Sequence, residues 1–317
     1  MSHLLSIVAT CLAAMNFRAD AGETAAFARQ LEYVKTETYD VKYLNAIARE
    51  LIPVDGSVPS GAMSFVWYSW DWRGMAKIVA NYADDLPKVQ ILGKQNVQGI
   101  HSIATSYDYS IQDVRAAAMS GLPLDATKAK AVRRAVENKI ENIAAKGDSA
   151  AGLPGLLNNA AIPVLTTTEL VGDWATTATS AEILADLHLI GNYVNTVTKG
   201  VHSATTLVLP TSLFNVIATR SYSTMVPDTI LDVFKRSSPY IKEVRQWHFL
   251  DTADSAGTGP RVLAYEKNPE VLQLVIPQEF EQFPPQPKNL AFDVPCHARI
   301  GGVVIRYPLA LVYADDV

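Results

Sequence analysis

The sequence of 317 residues contains little cysteine and little charge. Its only two cysteines, Cys11 and Cys296, lie at opposite ends of the chain. They are too few for a disulfide framework or a complete zinc site, so a reducing cytoplasm is the default compartment. Charged residues make up 19% and the net charge is -5. Contact with nucleic acid would therefore have to come from a local basic stripe rather than from the surface as a whole.

Long uncharged apolar runs are also missing. The run at residues 4–15 is too short to span a bilayer. No Lys or Arg precedes it, so it lacks the basic region of a secretory signal peptide. We therefore expect neither a membrane segment nor secretion.

Local signatures of catalysis are absent from the sequence. The six histidines form no HExxH or HxH spacing, and there is no GxSxG or GxGxxG motif. The glycine-rich segment at 152–158 (GLPGLLN) lacks the Lys-Ser/Thr ending of a phosphate-binding loop. We assign no catalytic, cofactor-binding or metal-binding residue, which favours a structural protein. An α/β enzyme with a site built from scattered residues is the alternative from another class.

Apolar residues make up 49% of the chain, which predicts a globular protein of about two domains and excludes intrinsic disorder. The most unusual stretch is residues 63–72 (MSFVWYSWDW), whose aromatic density predicts a strand. Because aromatic residues occur at both odd and even positions, they lie on both faces of this strand, and both faces must be covered by other parts of the protein or by a partner. Residues 100–109 alternate and are predicted to be the return strand. The hairpin either packs on its own core or projects onto a neighbouring subunit.

Two helices follow the hairpin. The first starts at Ile111 and is interrupted by Gly121 and Pro123, and the second spans 126–146 with Asp125 as its predicted N-cap. Residues three or four apart form its apolar stripe: Ala129, Val132, Val136, Ile140 and Ile143. Its outer face is predicted to carry Lys128, Lys130, Arg133, Arg134, Lys139, Glu137 and Glu141. That face is either simply solvated or makes weak electrostatic contact with nucleic acid.

A second unit, mixed α/β or α+β, follows the segment at 152–158. Its predicted helices begin at Ser180 (the predicted cap), at Thr211 and at Asp228, and its predicted strands span 205–209, 244–249, 261–265 and 271–276. Residues 278–288 are proline-rich and extended, and apolar runs at 300–307 and 309–313 predict terminal strands. We expect these last strands to belong to the first domain, so that the second domain is an insertion within it.

Four stretches carry a resemblance to a known family: residues 83–87 (ADDLP), 109–115 (YSIQDVR), 152–158 (GLPGLLN) and 301–308 (GGVVIRYP). Each is short, but their order along nearly the whole chain is fairly specific. The sequence resembles the major capsid proteins of tailed double-stranded-DNA bacteriophages, which share their fold with bacterial encapsulins. Many relatives carry a cleaved N-terminal scaffolding segment, and we expect none here.

The resemblance implies an α+β fold of four parts. These are an N-terminal arm at 1–55, an extended β-hairpin loop at 56–108, a peripheral domain at 109–150 plus 289–317 with its spine helix at 126–146, and an inserted axial α/β domain at 151–288. The loop would lie over an adjacent subunit. The implied assembly-interface residues are Phe65, Trp67, Tyr68, Trp70, Trp72, Tyr82, Asp84, Asp85, Lys88 and Lys94.

The same resemblance implies the partners. The chain would form pentamers and hexamers of an icosahedral head in the host cytoplasm, and would meet portal, scaffolding and decoration proteins. Burial of the apolar stripe would turn Lys130 and Arg134 towards the lumen, where they would make weak, non-specific contact with packaged double-stranded DNA. An encapsulin-type shell that holds enzyme cargo is the alternative within the fold.

Overall fold

A computed structural model describes residues 46–78, 88–120, 124–223, 228–315 and 317. Most of the predicted arm, up to residue 45, lies outside these residues. The described helices are α1 (Ala48–Leu51), α2 (Ile111–Ser120), α3 (Leu124–Lys146), α4 (Ser180–Val197), α5 (Thr211–Thr219) and α6 (Ile230–Ser237), with short 3-10 helices at His248–Thr252 and Pro308–Ala310.

The described strands are β1 (Val54–Asp55), β2 (Ser64–Arg73), β3 (Gln90–Gly99), β4 (His101–Ser110), β5 (Val164–Leu165), β6 (Thr206–Leu209), β7 (Glu243–Gln246), β8 (Arg261–Tyr265), β9 (Leu272–Val275), β10 (Gln278–Gln282), β11 (Gln286–Lys288), β12 (Ala291–Ile300), β13 (Gly302–Ile305) and β14 (Leu311–Asp315).

The long helix α3 forms where the apolar stripe predicted it. Val136, Ile140 and Ile143 are at most 2% exposed, because residues three or four apart share the face that packs on the core. The helix begins at Leu124, so Asp125 lies inside it and is not its N-cap.

The segment at 147–158 is a fixed connection that closes the end of α3. The amides of Leu156 and Leu157 donate to the carbonyls of Ala144 and Ala145 at 2.8 and 2.9 Å. The side chain of Asn158 donates to the carbonyl of Lys146 at 2.6 Å. These bonds satisfy carbonyls that the end of a helix otherwise leaves without partners.

A five-stranded sheet in the order β5–β14–β8–β6–β7 separates two cores. Leu263 and Tyr265 of β8 face the core that contains α3, and Val262 and Ala264 face the core that contains α4, α5 and α6. Because both faces are covered, these strands read as continuous apolar runs in the sequence. The first turn of α4 is capped by Thr179 in a capping box with Glu182, and not by Ser180 as predicted.

A second sheet contains β12, which pairs with β4 on one side and with β10 and β11 on the other. The sequence interpretation missed β12, since Pro295 interrupts an otherwise strand-like stretch. Pro295 is tolerated because it lies between the residues that pair with β10 and those that pair with β11. The predicted strand at 244–249 ends early, at Gln246, where the 3-10 helix follows.

The domain division stays a prediction. β14, which falls within the predicted peripheral segment 289–317, pairs with β5 and β8 of the segment 151–288. The last residues of the chain therefore complete the sheet of the proposed axial domain.

Candidate assembly surface

The aromatic strand belongs to a two-stranded antiparallel hairpin formed by β2 and β3. The register places Ser64 opposite Gly99 and Arg73 opposite Gln90. Residues 100–109, predicted as the return strand, do form a strand, β4 (His101–Ser110), but the predicted pairing with the aromatic strand is wrong, because β4 pairs with β12 over its whole length. β4 alternates because one of its faces packs beside α3, where Tyr107 is buried. β3 lies outside the core and lacks the alternation that marks a half-buried strand.

One face of the hairpin carries a row of uncovered apolar side chains, here named the aromatic face: Val66, Tyr68, Trp70, Trp72, Ile91 and Val97. Every second residue of a strand points to the same side, and the register places Val97 opposite Val66 and Ile91 opposite Trp72. These six side chains are 43–77% exposed. Soluble monomers rarely leave a large contiguous apolar patch uncovered, so the aromatic face has the character of an interaction surface.

The rings of the aromatic face are held in a row. Those of Tyr68 and Trp70 have centroids 6.3 Å apart and planes inclined by 27°. Trp70 lies across Gly93, where an added Cβ would come within 2.7 Å of the indole ring. The missing side chain at Gly93 thus leaves room for the indole to lie flat on the hairpin.

The opposite face carries its aromatic side chains near the root of the hairpin, which is the end formed by residues 64–67 and 96–99. Phe65 and Trp67 are half-buried and stack with centroids 5.6 Å apart. Further out this face is mainly polar, where Asn96 donates to the hydroxyl of Ser69 at 3.3 Å, and it also carries Leu92, which is 48% exposed. The prediction that both faces carry aromatics is confirmed, but only one face carries exposed aromatic side chains along its length.

Side-chain hydrogen bonds hold the root of the hairpin against the rest of the subunit. Arg299 of β12 is 8% exposed; its guanidinium donates to the carbonyl of Ser60 and lies 3.7 Å from the sulfur of Met63. The side chain of Gln98 donates to the carbonyl of Gly152 at 3.2 Å. The position of the root is therefore set within one chain, while the aromatic face beyond it stays open.

Five predicted interface residues remain, of which the structure describes two. Lys88 and Lys94 are exposed. Tyr82, Asp84 and Asp85 lie outside the described residues. Their part in an interface stays a prediction.

The basic residues of α3 differ in their exposure and in their contacts. Lys130 is exposed and Arg134 is half-buried. Lys128 turns towards β4 and donates to the carbonyl of Asp108 at 2.6 Å. Contact of Lys130 and Arg134 with DNA stays a prediction.

Glu141 was predicted on the outer face of α3, and that prediction is wrong. It is 4% exposed, and it accepts hydrogen bonds from the amides of Ile47 and Ala48 at 3.2 and 3.4 Å and from the indole of Trp247 at 2.8 Å. The carboxylate therefore joins the start of α1 to α3 and to the strand β7 that precedes Trp247. No sequence motif marks this residue, because its partners are distant along the chain.

Arg49 forms a second set of hydrogen bonds that hold α1 in place. It donates to Glu137 of α3 at 3.2 Å and to Glu279 of β10 at 2.8 Å. The hydrogen bond to Glu279 raises the pKa of the Arg49 guanidinium above its ordinary value, although partial burial opposes this. Two buried or half-buried carboxylates of α3, Glu137 and Glu141, thus fix the chain where the proposed arm ends.

Within the described ranges, no group of three or more His, Cys, Asp or Glu side chains is arranged to hold a metal ion. No helix among these residues has the length and hydropathy needed to cross a membrane.

Comparison with known families decides the classification. A family model described as "Major capsid protein" matches residues 74–317, which is more than half of the chain. The chain belongs to the major capsid protein family. This is a family of structural proteins and not of enzymes, and its members are parts of the virion.

Solved structures of capsids share the fold of this major capsid protein. The capsid of Myoviridae phage XM1 has a TM-score of 0.81 at 15% identity, covering 92% of this chain and 98% of that one. The Mycobacterium phage Bobi structure has a TM-score of 0.63 at 12% identity, covering 94% and 99%. A virus-like particle from Pyrococcus furiosus has a TM-score of 0.51 at 14% identity, covering 84% and 90%. A comparison with curated protein sequences gave no match.

These similarities confirm the predicted α+β capsid fold and the predicted family. The family match begins at residue 74, so the aromatic strand β2 lies just before it and was identified from its own composition.

Proposed function

We propose that this major capsid protein forms pentamers and hexamers of an icosahedral head shell, which encloses the double-stranded DNA of a tailed bacteriophage. The shell assembles in the bacterial cytoplasm and has no catalytic activity of its own. The observation that carries the proposal is the aromatic face, whose six apolar side chains are 43–77% exposed in the single chain.

A two-stranded ribbon is marginally stable on its own in water. Among the described residues, side-chain hydrogen bonds hold the hairpin at its root and the aromatic face stays exposed, so we infer that another subunit lies against it in the shell. Burial of apolar surface stabilises by about 25 cal/mol per Å². Repeated around a shell, such contacts supply a large total even though each is modest.

The proposed division of the subunit is the one that the resemblance to capsid proteins implies. The hairpin would reach an adjacent subunit, α3 would be the spine of the peripheral domain, and the segment 151–288 would be the axial domain around the five-fold and six-fold axes. Lys130 and Arg134 would face packaged DNA, with portal, scaffolding and decoration proteins as further partners. A map of the assembled particle that places Lys130 and Arg134 outside would overturn the DNA contact.

The function is tested by shortening the hairpin without disturbing its register. Ser69 lies opposite Lys94, so residues 70–93 can be replaced by Asn-Gly, which forms a tight two-residue turn between them. We expect the variant to keep the helix signal in circular dichroism and to form only monomers or small rings by light scattering and electron microscopy. Intact shells would contradict the role of the hairpin as the assembly element, and loss of the helix signal would show that the hairpin belongs to the core of the single subunit.

An encapsulin-type compartment is the alternative with the same fold. The two are separated by the contents of particles purified from their native source. Nuclease-protected double-stranded DNA supports a phage head, whereas a stoichiometric cargo enzyme supports a compartment.

A further inference from the structure

The aromatic face is complementary to a partner surface that carries no charge. The residues that point to this side of the hairpin are Val66, Tyr68, Trp70 and Trp72 on β2 and Ile91, Gly93, Gln95 and Val97 on β3, and none of them is charged. A charged group placed against this row would lose hydration without gaining an ionic partner. An exposed and uncharged apolar segment is therefore the matching cover.

Such a segment begins directly after β10 and runs into β11. Residues 283–287 (FPPQP), here named the proline turn, are all exposed and carry no charge. The turn is fixed at both ends, because the amide of Phe283 donates to the carbonyl of Pro295 at 3.0 Å and Pro287 lies opposite Phe292. Prolines also fix their own φ angles. The turn is thus a rigid apolar ridge, and little conformational entropy is lost when it binds.

The two surfaces lie along one run of strands: the aromatic face is on β2 and β3, and the proline turn lies beside the part of β12 that pairs with the second half of β4. β3 leads through Ile100 into β4, whose last residue, Ser110, lies opposite Ala291. Ala291 in turn lies opposite Lys288, directly after the proline turn. Within one chain both surfaces are exposed, so neither covers the other. A contact between them joins two copies head to tail, which is the kind of contact that closes into rings.

We propose that the proline turn of one subunit lies against the aromatic face of a second copy. This inference rests on the function proposed above, since a ring-forming shell subunit repeats a head-to-tail contact. Proline rings pack well on tryptophan and tyrosine, as in the recognition of proline-rich segments by aromatic-lined grooves.

The available area fits an interface of ordinary size. Large aromatic side chains bury roughly 150–250 Å² each. At the observed exposures, the three aromatic and three aliphatic side chains of this face offer on the order of 600 Å², near the roughly 800 Å² per partner of a standard interface. The competing occupant, the aromatic face of another copy, would form a symmetric contact that closes at two subunits and builds no ring.

The contact is tested directly by photo-crosslinking in assembled particles. A p-benzoylphenylalanine is introduced in place of Trp72, and in place of Ser69 on the opposite face as the matched control. We expect the probe at position 72, and not at 69, to crosslink to the peptide that contains residues 283–290 of another subunit. A crosslink to residues 64–99 of another copy, or to any other segment, overturns the inference while the particles themselves uphold the shell function.

A charge placed on the turn provides a second test. Pro285→Glu is compared with Pro269→Glu, at an exposed proline outside the turn. We expect Pro285→Glu to raise the protein concentration needed for assembly about tenfold or more, and Pro269→Glu to leave it unchanged. Equal assembly of the two variants, with unchanged circular dichroism, overturns the inference. Failure of the unmodified chain to assemble would instead contradict the shell function.

Discussion

The indole nitrogen of Trp247 donates a hydrogen bond of 2.8 Å to a carboxylate oxygen of Glu141, although the two residues are 106 positions apart. The pair joins α3 to the residue that follows β7. Because Glu141 also accepts from the amides of Ile47 and Ala48, one buried carboxylate holds three separate parts of the chain.

Removal of this carboxylate is expected to destabilise the subunit. Glu141→Ala leaves the indole and two amides without their acceptor, and buried donors left unpaired cost about 1–3 kcal/mol each where water does not replace the partner. We expect a loss of about 2–4 kcal/mol in the free energy of unfolding, measured by urea denaturation of unassembled subunits. Glu141→Gln keeps an acceptor for Trp247 and should lose less. A loss from Lys139→Ala, at an exposed position of α3, equal to that from Glu141→Ala would contradict this explanation.

The closed end of α3 gives a sharper prediction at Gly155. A Cβ at this position would lie 2.4–2.6 Å from backbone atoms of Gly147, Lys146 and Ala145, which is closer than such atoms approach. Gly155→Ala should therefore separate the 147–158 connection from the helix and lower the thermal unfolding midpoint by well over 5 °C, or prevent folding. Gly61→Ala is the matched control, since nothing lies within 4 Å of a Cβ there. Equal midpoints for the two variants would refute the close packing.

Elements with a strong local signal were predicted well from the sequence. The stripe of α3 repeats at helical spacing, β8 is a short apolar run, and α5 begins at Thr211 as predicted. The aromatic strand was found because few environments other than a strand collect that density of aromatic side chains. In each case the signal lies within about twenty residues of sequence.

Features that depend on distant residues were missed. β3 has a polar sequence because it lies outside the core, so its pairing with β2 left no periodic trace. Pro295 concealed β12, and only the gap between its two partner strands explains why a proline fits there. In the sequence Glu141 resembles the other charged residues of a solvated helix face, because its partner Trp247 is distant and only the fold places the two in contact.

The buried ion pair of Arg261 and Asp315 yields another prediction. Two hydrogen bonds of 2.6 and 2.7 Å join the guanidinium to the carboxylate, and both side chains are at most 5% exposed. Asp315→Asn leaves the cation without its counter-charge, which should cost about 3–5 kcal/mol in the free energy of unfolding. The double variant Arg261→Met, Asp315→Leu should recover much of that loss because no buried charge remains. A double variant that is no more stable than Asp315→Asn would refute this explanation.

A surface pair provides the comparison for that experiment. Arg236 and Asp228 form an ion pair in which the arginine side chain is 65% exposed. Exposed pairs typically contribute about 0–1 kcal/mol, so Arg236→Ala should have little effect in the same denaturation assay.

Acid sensitivity is expected at His188 on α4. Its ring packs 5.3 Å from Phe234, its Nε2 lies 2.9 Å from the hydroxyl of Ser237, and burial lowers the pKa of His188 below its ordinary 6.5. Between the lowered pKa and about 6.5, the unfolded chain binds more protons at this residue than the folded chain. The contribution of His188 to stability is therefore complete above about pH 6.5 and decreases as the pH falls through 6.5 towards the folded pKa.

The variant His188→Gln tests this prediction. Its decrease in unfolding midpoint between about pH 7 and pH 5 should be smaller than in the unmodified subunit. The control His101→Gln, at an exposed position of β4, should leave the decrease unchanged. Thermal unfolding of unassembled subunits across this pH range measures the difference, and an unaltered decrease in His188→Gln would show that this ring is not a source of acid sensitivity.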